Sequence, residues 1–227
     1  MPYEPLPSHA MLNHDHVKER RTQSLIMIGL CTALLLGLLA VSQYNYLLFH
    51  SVAELFSIAV AWSVFLLVWN VRPYMKNDAL FFLGISYLFI GGFDLLHTLA
   101  YKGMEVFTIT GKPDLATQLW ISARGIEAGA LLLFPLLLGK KIRSDILLGA
   151  LVIVVTLLLA AIFSWDIFPA CFIEGSGLTP FKVAAEYTIC LVVLIAIFLL
   201  YKKRSYLDLK VYYYMVASMI LTIAAEV

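Results

Sequence analysis

LLFHSVAELFSIAVAWSVFLLVW, residues 47–69, decides the fold class. A helix that crosses a bilayer needs about 20 mainly apolar residues, and this run is long enough. It carries two ionisable groups, His50 and Glu54. Four residues apart on a helix, they share one face. Ionisable side chains inside a lipid-crossing segment are costly, and they usually mark a ligand, ion or proton site.

Outward from that run, the whole chain is apolar. Of its 227 residues 62% are hydrophobic and 14% are charged, and the mean hydropathy is +0.89. A soluble domain carries about 25% charged residues. The composition predicts an all-α, polytopic membrane helical bundle of about seven transmembrane helices. The net charge of +1 gives no basic surface for nucleic acid. Cys31, Cys171 and Cys190 have no metal-ligand spacing, and no structural disulfide is expected.

Residues 1–22 are polar and end in Lys18, Arg20 and Arg21. They read as a solvated, disordered cytoplasmic tail containing His9, His14 and His16. The integral-membrane part is 23–227. Its helices are expected at about 24–43, 47–70, 79–101, 115–138, 146–165, 179–200 and 211–227. The first apolar core is too long, and its leading tail too extended, for a cleaved signal peptide. Gly84, Gly91 and Gly92 suit close helix packing. Val106–Thr110 suits a small hairpin or a turn, and Pro135 is expected to kink the fourth helix. Thr179-Pro180 is a helix start, a hydroxyl cap followed by Pro at the first helical position.

Charge sets the orientation. With a cytoplasmic amino terminus, 12 of the 16 lysines and arginines fall on the inner side, as the positive-inside rule requires. The remaining four are Lys102, Lys112, Arg124 and Lys182. The protein is then a multi-pass protein of the cell inner membrane. In that topology His50, Glu54, Asp94, His97, Arg124, Glu127, Glu186 and Glu226 all fall in the outer half. The pattern predicts an outward-facing polar cavity among helices two, three, four, six and seven.

The spacing leaves several chemistries open. His50/Glu54 and Asp94/His97 each put two side chains on one face. Together they can ligate a divalent transition metal. His50 and His97 can instead be the axial ligands of a b-type haem. An organic ligand can instead bind among His50, Glu54, Asp94, His97, Arg124, Glu127 and Glu186. Finally, Asp94–Arg124 and His50–Glu54 can be buried pairs that only hold helices together.

Four runs then resemble one family: LLFHSVAELFSIAVAWSVFLLVWN (47–70), FLGISYLFIGGFDLLHTLAYKGMEVF (82–107), ATQLWISARGIEAGALLL (116–133) and FIEGSGLTPFKVAAEYTICLVVL (172–194). They look like the third class of bacterial membrane-associated sensor domains, the MASE type. The markers are His50, Glu54, Asp94, His97, Tyr101, Lys102, Gly103, Arg124, Glu127 and 174–182. The resemblance implies the amino-terminal input module of a histidine kinase or diguanylate cyclase. Such a module is not itself an enzyme. It lies in the bilayer, binds an unidentified small ligand or ion, and forms a homodimer through its output module. No output domain follows here, so the resemblance implies further sequence after Glu226. The alternatives are an intramembrane metal-dependent hydrolase and a haem or redox sensor. With only two histidines in apolar runs, a His-rich catalytic zinc site is not available.

Overall fold

Seven α-helices follow one another among the described residues: α1 His9–Tyr44, α2 Tyr46–Val71, α3 Asp78–Ala100, α4 Leu115–Leu137, α5 Ser144–Leu159, α6 Pro180–Lys202 and α7 Leu209–Glu226. The computed structural model describes residues 9–75, 78–104, 106–107, 113–141 and 143–226, with only the backbone for 9–20 and 144. Among the described residues, six helices are long and apolar enough to cross a membrane. α7 is not among them, because Lys210, Tyr212, Tyr213, Tyr214 and Glu226 dilute its apolar content.

By compactness the chain divides into Met1–Val52 and Ala53–Val227. In the first unit, α1 begins at His9. The expected disordered tail is therefore corrected: from His9 onward it is helical. Its composition (Ala, Met, Leu, Lys, Glu and Arg among its residues) favours helix even without an apolar stripe. Asn45 alone interrupts the path from α1 to α2, and its Oδ1 accepts the Leu48 N–H at 3.0 Å. This caps the new helix.

In the second unit the core lies along α4. Phe134, Leu131 and Ala128 of α4 pack with Val193, Ala196 and Leu200 of α6 and Met219 of α7. A second cluster joins Ile90 and Phe93 of α3 to Leu119, Ala123 and Ile126 of α4 and to Ile162. More than half of each of α3 and α4 is buried. α5 and α6 leave rows of large apolar side chains exposed, among them Ile153, Leu157, Leu191 and Phe198. In a bilayer such rows meet lipid tails. Serine and threonine hydroxyls return to carbonyls of their own helix, as Ser63 does to Ala59 and Thr188 to Ala184. No polar hydrogen of theirs is then left in hydrocarbon.

Glycine lets α3 approach the later part of α2. A Cβ on Gly84 would lie 2.6 Å from Val68, and one on Gly91 2.8 Å from the Trp62 indole nitrogen. Trp62 Nε1 donates to the Leu88 carbonyl at 3.3 Å. Gly92 has nothing within 4 Å, so the close approach rests on its two neighbours. Pro135 stands in the last turn of α4, which stops two residues later. α5 runs into a π-helical turn, Ala160–Ser164, that carries Ile162 into the core.

The loop before α6 is more ordered than its sequence suggested. Phe172–Ile173 pairs antiparallel with Gly177–Leu178. This small ribbon is the one departure from all-α among the described residues. Gly175 and Gly177 supply its positive φ angles, 85° and 86°. Thr179 then caps α6, its hydroxyl accepting the Lys182 N–H at 3.2 Å. The expected hairpin at Val106–Thr110 lies largely outside the described residues.

Candidate functional site

One position on α3 and two on α4 make the strongest electrostatic feature. Asp94 is 2% exposed, and both its oxygens accept from Arg124 Nη2, at 2.9 and 3.0 Å. The other guanidinium arm, Nη1, donates to Glu127 Oε2 at 2.5 Å. One cation thus holds two carboxylates, one on α3 and one a turn further along α4. Burying any of these charges singly would cost several kcal/mol, and the geometry of the triad offsets that.

The network reaches further. On α6, Lys182 forms an ion pair with Glu186 one turn away. Its ammonium lies 4.9 Å from the centre of the Trp120 ring of α4. Glu226, near the end of α7, is close enough to Arg124, Glu127, Glu186 and Lys182 to interact with their charges. Its Oε2 is buried without a hydrogen-bond partner, as is Arg124 Nε. Four carboxylates on α3, α4, α6 and α7 therefore stand against two cations.

A second group forms beside it. Glu54 of α2 and His97 of α3 offer ligand atoms within 4.8 Å of each other. His97 is buried, and its Nδ1 lies 2.8 Å from the Ala116 carbonyl oxygen. A carbonyl can only accept, so Nδ1 carries the proton and Nε2 keeps its lone pair. The Tyr101 ring packs edge-on, with centroids 6.3 Å apart. His50 lies one turn before Glu54 on the unbroken α2, its ring stacked on Tyr46.

The single cluster expected from His50, Glu54, Asp94, His97, Arg124, Glu127 and Glu186 is therefore resolved into two. Asp94, expected in a ligand set with His50, Glu54 and His97, bonds to Arg124 instead. Arg124 claims both oxygens of that carboxylate, and a guanidinium held by two hydrogen bonds in a buried site is a strong competitor for it. Arg124, Glu127 and Glu186 keep to the ionic group. The side chains of His14 and His16 lie outside the described residues.

Sequence reasoning missed Asp114 and Gln118. Asp114 looks like the cap of α4 but makes no side-chain cap bond. Its carboxylate instead accepts the N–H of Cys171, at 2.9 Å, and of Phe172, at 2.6 Å. Gln118 Nε2 adds a bond to the Phe168 carbonyl at 3.3 Å, and Thr179 donates to the Ala170 carbonyl at 2.6 Å. Together they pin the loop before α6 onto the start of α4. Burial and the Asp114 carboxylate push the Cys171 thiol up to about 12, so it stays protonated and inert. A Pro-Asp pair just before an apolar run was the available signal for Asp114, but a cap was its simplest reading.

A family model described as a membrane-associated sensor domain, of the third MASE class, matches residues 41–227. No curated protein and no solved structure matches the chain.

Proposed function

The chain belongs to the third class of membrane-associated sensor domains, and from that premise we propose that it is the input module of a bacterial signalling protein. It takes up a small ligand or ion in a polar cavity on the outer side of the inner membrane. It passes the change to a kinase or cyclase module beyond α7. The amino terminus lies in the cytoplasm, as the distribution of lysine and arginine indicates. The segment acts by binding and transmission rather than catalysis, and dimerises through the module it controls.

One observation supports this most: the ionic group links α3, α4, α6 and α7 through buried charges rather than through apolar contacts alone. A sensor needs two arrangements of comparable energy, with a ligand that favours one of them. Shifting a population from 1:99 to 99:1 takes about 5.5 kcal/mol of differential binding. Breaking a buried ion pair costs about 3–5 kcal/mol. The Asp94–Arg124–Glu127 triad is thus of the right size to be the element a ligand rearranges. Glu226 brings α7 into the same field, and the excess of carboxylates suits a positively charged ligand.

The test joins, after residue 227, one further membrane-crossing helix that returns to the cytoplasm and then a histidine kinase or diguanylate cyclase module, and measures phosphotransfer or cyclic dinucleotide synthesis in membranes. Asp94→Asn, Arg124→Gln and Glu226→Gln are expected to shift the output at equal membrane abundance. Unchanged output in all three rejects the proposal.

A further inference from the structure

The Glu54–His97 pair carries more than the sensory reading uses. Its ligand atoms come from two different helices and lie within 4.8 Å of each other. Two donors on one tetrahedral ion, each about 2.1 Å from it, stand about 3.4 Å apart. A small side-chain adjustment closes that difference. His97 is also set up as a donor: its Nδ1 is held by the Ala116 carbonyl at 2.8 Å. Ligating histidines are commonly oriented in this way, the second ring nitrogen fixing the tautomer and aiming the first. The pair lies in an apolar bundle, where ionisable side chains usually mark function.

We infer that Glu54 and His97 are the core of a binding site for a divalent transition metal. Imidazole nitrogen with carboxylate oxygen suits borderline ions such as Zn²⁺, Fe²⁺ or Mn²⁺ over Ca²⁺ or Mg²⁺, which prefer all-oxygen cages. Asp94 is outside the ligand set but one turn from His97 on α3, so a metal that repositions His97 acts on the Arg124 triad through one rigid helix. The inference names a ligand class for the sensory reading. It rests on that reading for the metal's purpose and not for its presence.

The experiment purifies the 227-residue chain in detergent, loads it with Zn²⁺ or Co²⁺, and measures metal by elemental analysis alongside the visible spectrum. We expect about one ion per chain, with a cobalt spectrum of low-symmetry nitrogen and oxygen ligation. Glu54→Gln and His97→Gln, which keep side-chain length and polarity, lose the ion. Asp94→Asn keeps the metal but changes the output of an attached module, which separates this inference from the sensory proposal. Three results overturn the inference: no metal after loading, metal retained in both Glu54→Gln and His97→Gln, or a Soret band showing haem on the imidazoles. Melting curves of each variant establish that it is folded, and Glu54→Asp provides a conservative variant that is expected to retain some metal.

Discussion

Neutralising Asp94 tests the ionic triad quantitatively. Asp94→Asn keeps the shape of the side chain but removes its charge, and Arg124 then balances only Glu127. Asp94 is 2% exposed and accepts two bonds from one guanidinium nitrogen, at 2.9 and 3.0 Å. Removing one partner of a buried pair costs about 3–5 kcal/mol. Glu127 remains, at 2.5 Å from the other arm, and the Arg124 side chain is 20% exposed, so the lower end of that range, about 3 kcal/mol, is expected. Arg124→Gln should cost at least as much, because two carboxylates then face each other without a cation. The double variant should be less destabilised than the sum of the two, with a coupling of at least about 1 kcal/mol. The assay is reversible unfolding in mixed micelles, read by helical circular dichroism across the four proteins of the cycle. A coupling below about 0.5 kcal/mol, within the usual additivity of independent sites, would refute the triad as an energetic unit.

The other predictions concern packing, protonation and topology. Gly84→Val overpacks the α2–α3 contact, since even a Cβ would lie 2.6 Å from Val68; it should cost about 1–3 kcal/mol, while Gly92→Ala, with nothing within 4 Å, should be neutral or slightly stabilising in the same unfolding assay. Cys171 should resist maleimide at pH 8 and remain slow to pH 10, because its thiol is pushed up to about 12. Asp114→Ala removes both oxygens that accept the loop's Cys171 and Phe172 N–H groups, and labelling of Cys171 should then accelerate. Single-cysteine labelling at positions 141 and 203 should occur only from the cytoplasmic side; labelling of both from outside would reverse the proposed orientation.

The spans were legible because apolar runs of 20 residues have few alternatives in a chain this poor in charge. Thr179-Pro180 was legible for a local reason, since a hydroxyl cap and a fixed φ act within one turn. The helix over 9–22 was not, because nothing in its pattern marks a buried face. The ribbon at 172–178 was too short to leave a period-two signal. Within the candidate site, the opposite charges of Asp94 and Arg124 made their pairing readable. What the spacing of Asp94 and His97 could not tell was which neighbour would claim the carboxylate, and the guanidinium of α4 did. Asp114 was hidden because its partners, Cys171 and Phe172, lie 57 and 58 residues away in a loop without pattern.

The central claim is that buried charge on α3 and α4 controls what lies beyond α7. The most direct measurement is the output of a kinase or cyclase module joined after residue 227 through one further membrane-crossing helix, compared between the parent chain and Arg124→Gln in the same membranes. The account predicts that loss of the guanidinium locks the output at one level and abolishes its response to added Zn²⁺. An Arg124→Gln protein, equally abundant and folded, that signals and responds as the parent does would contradict it.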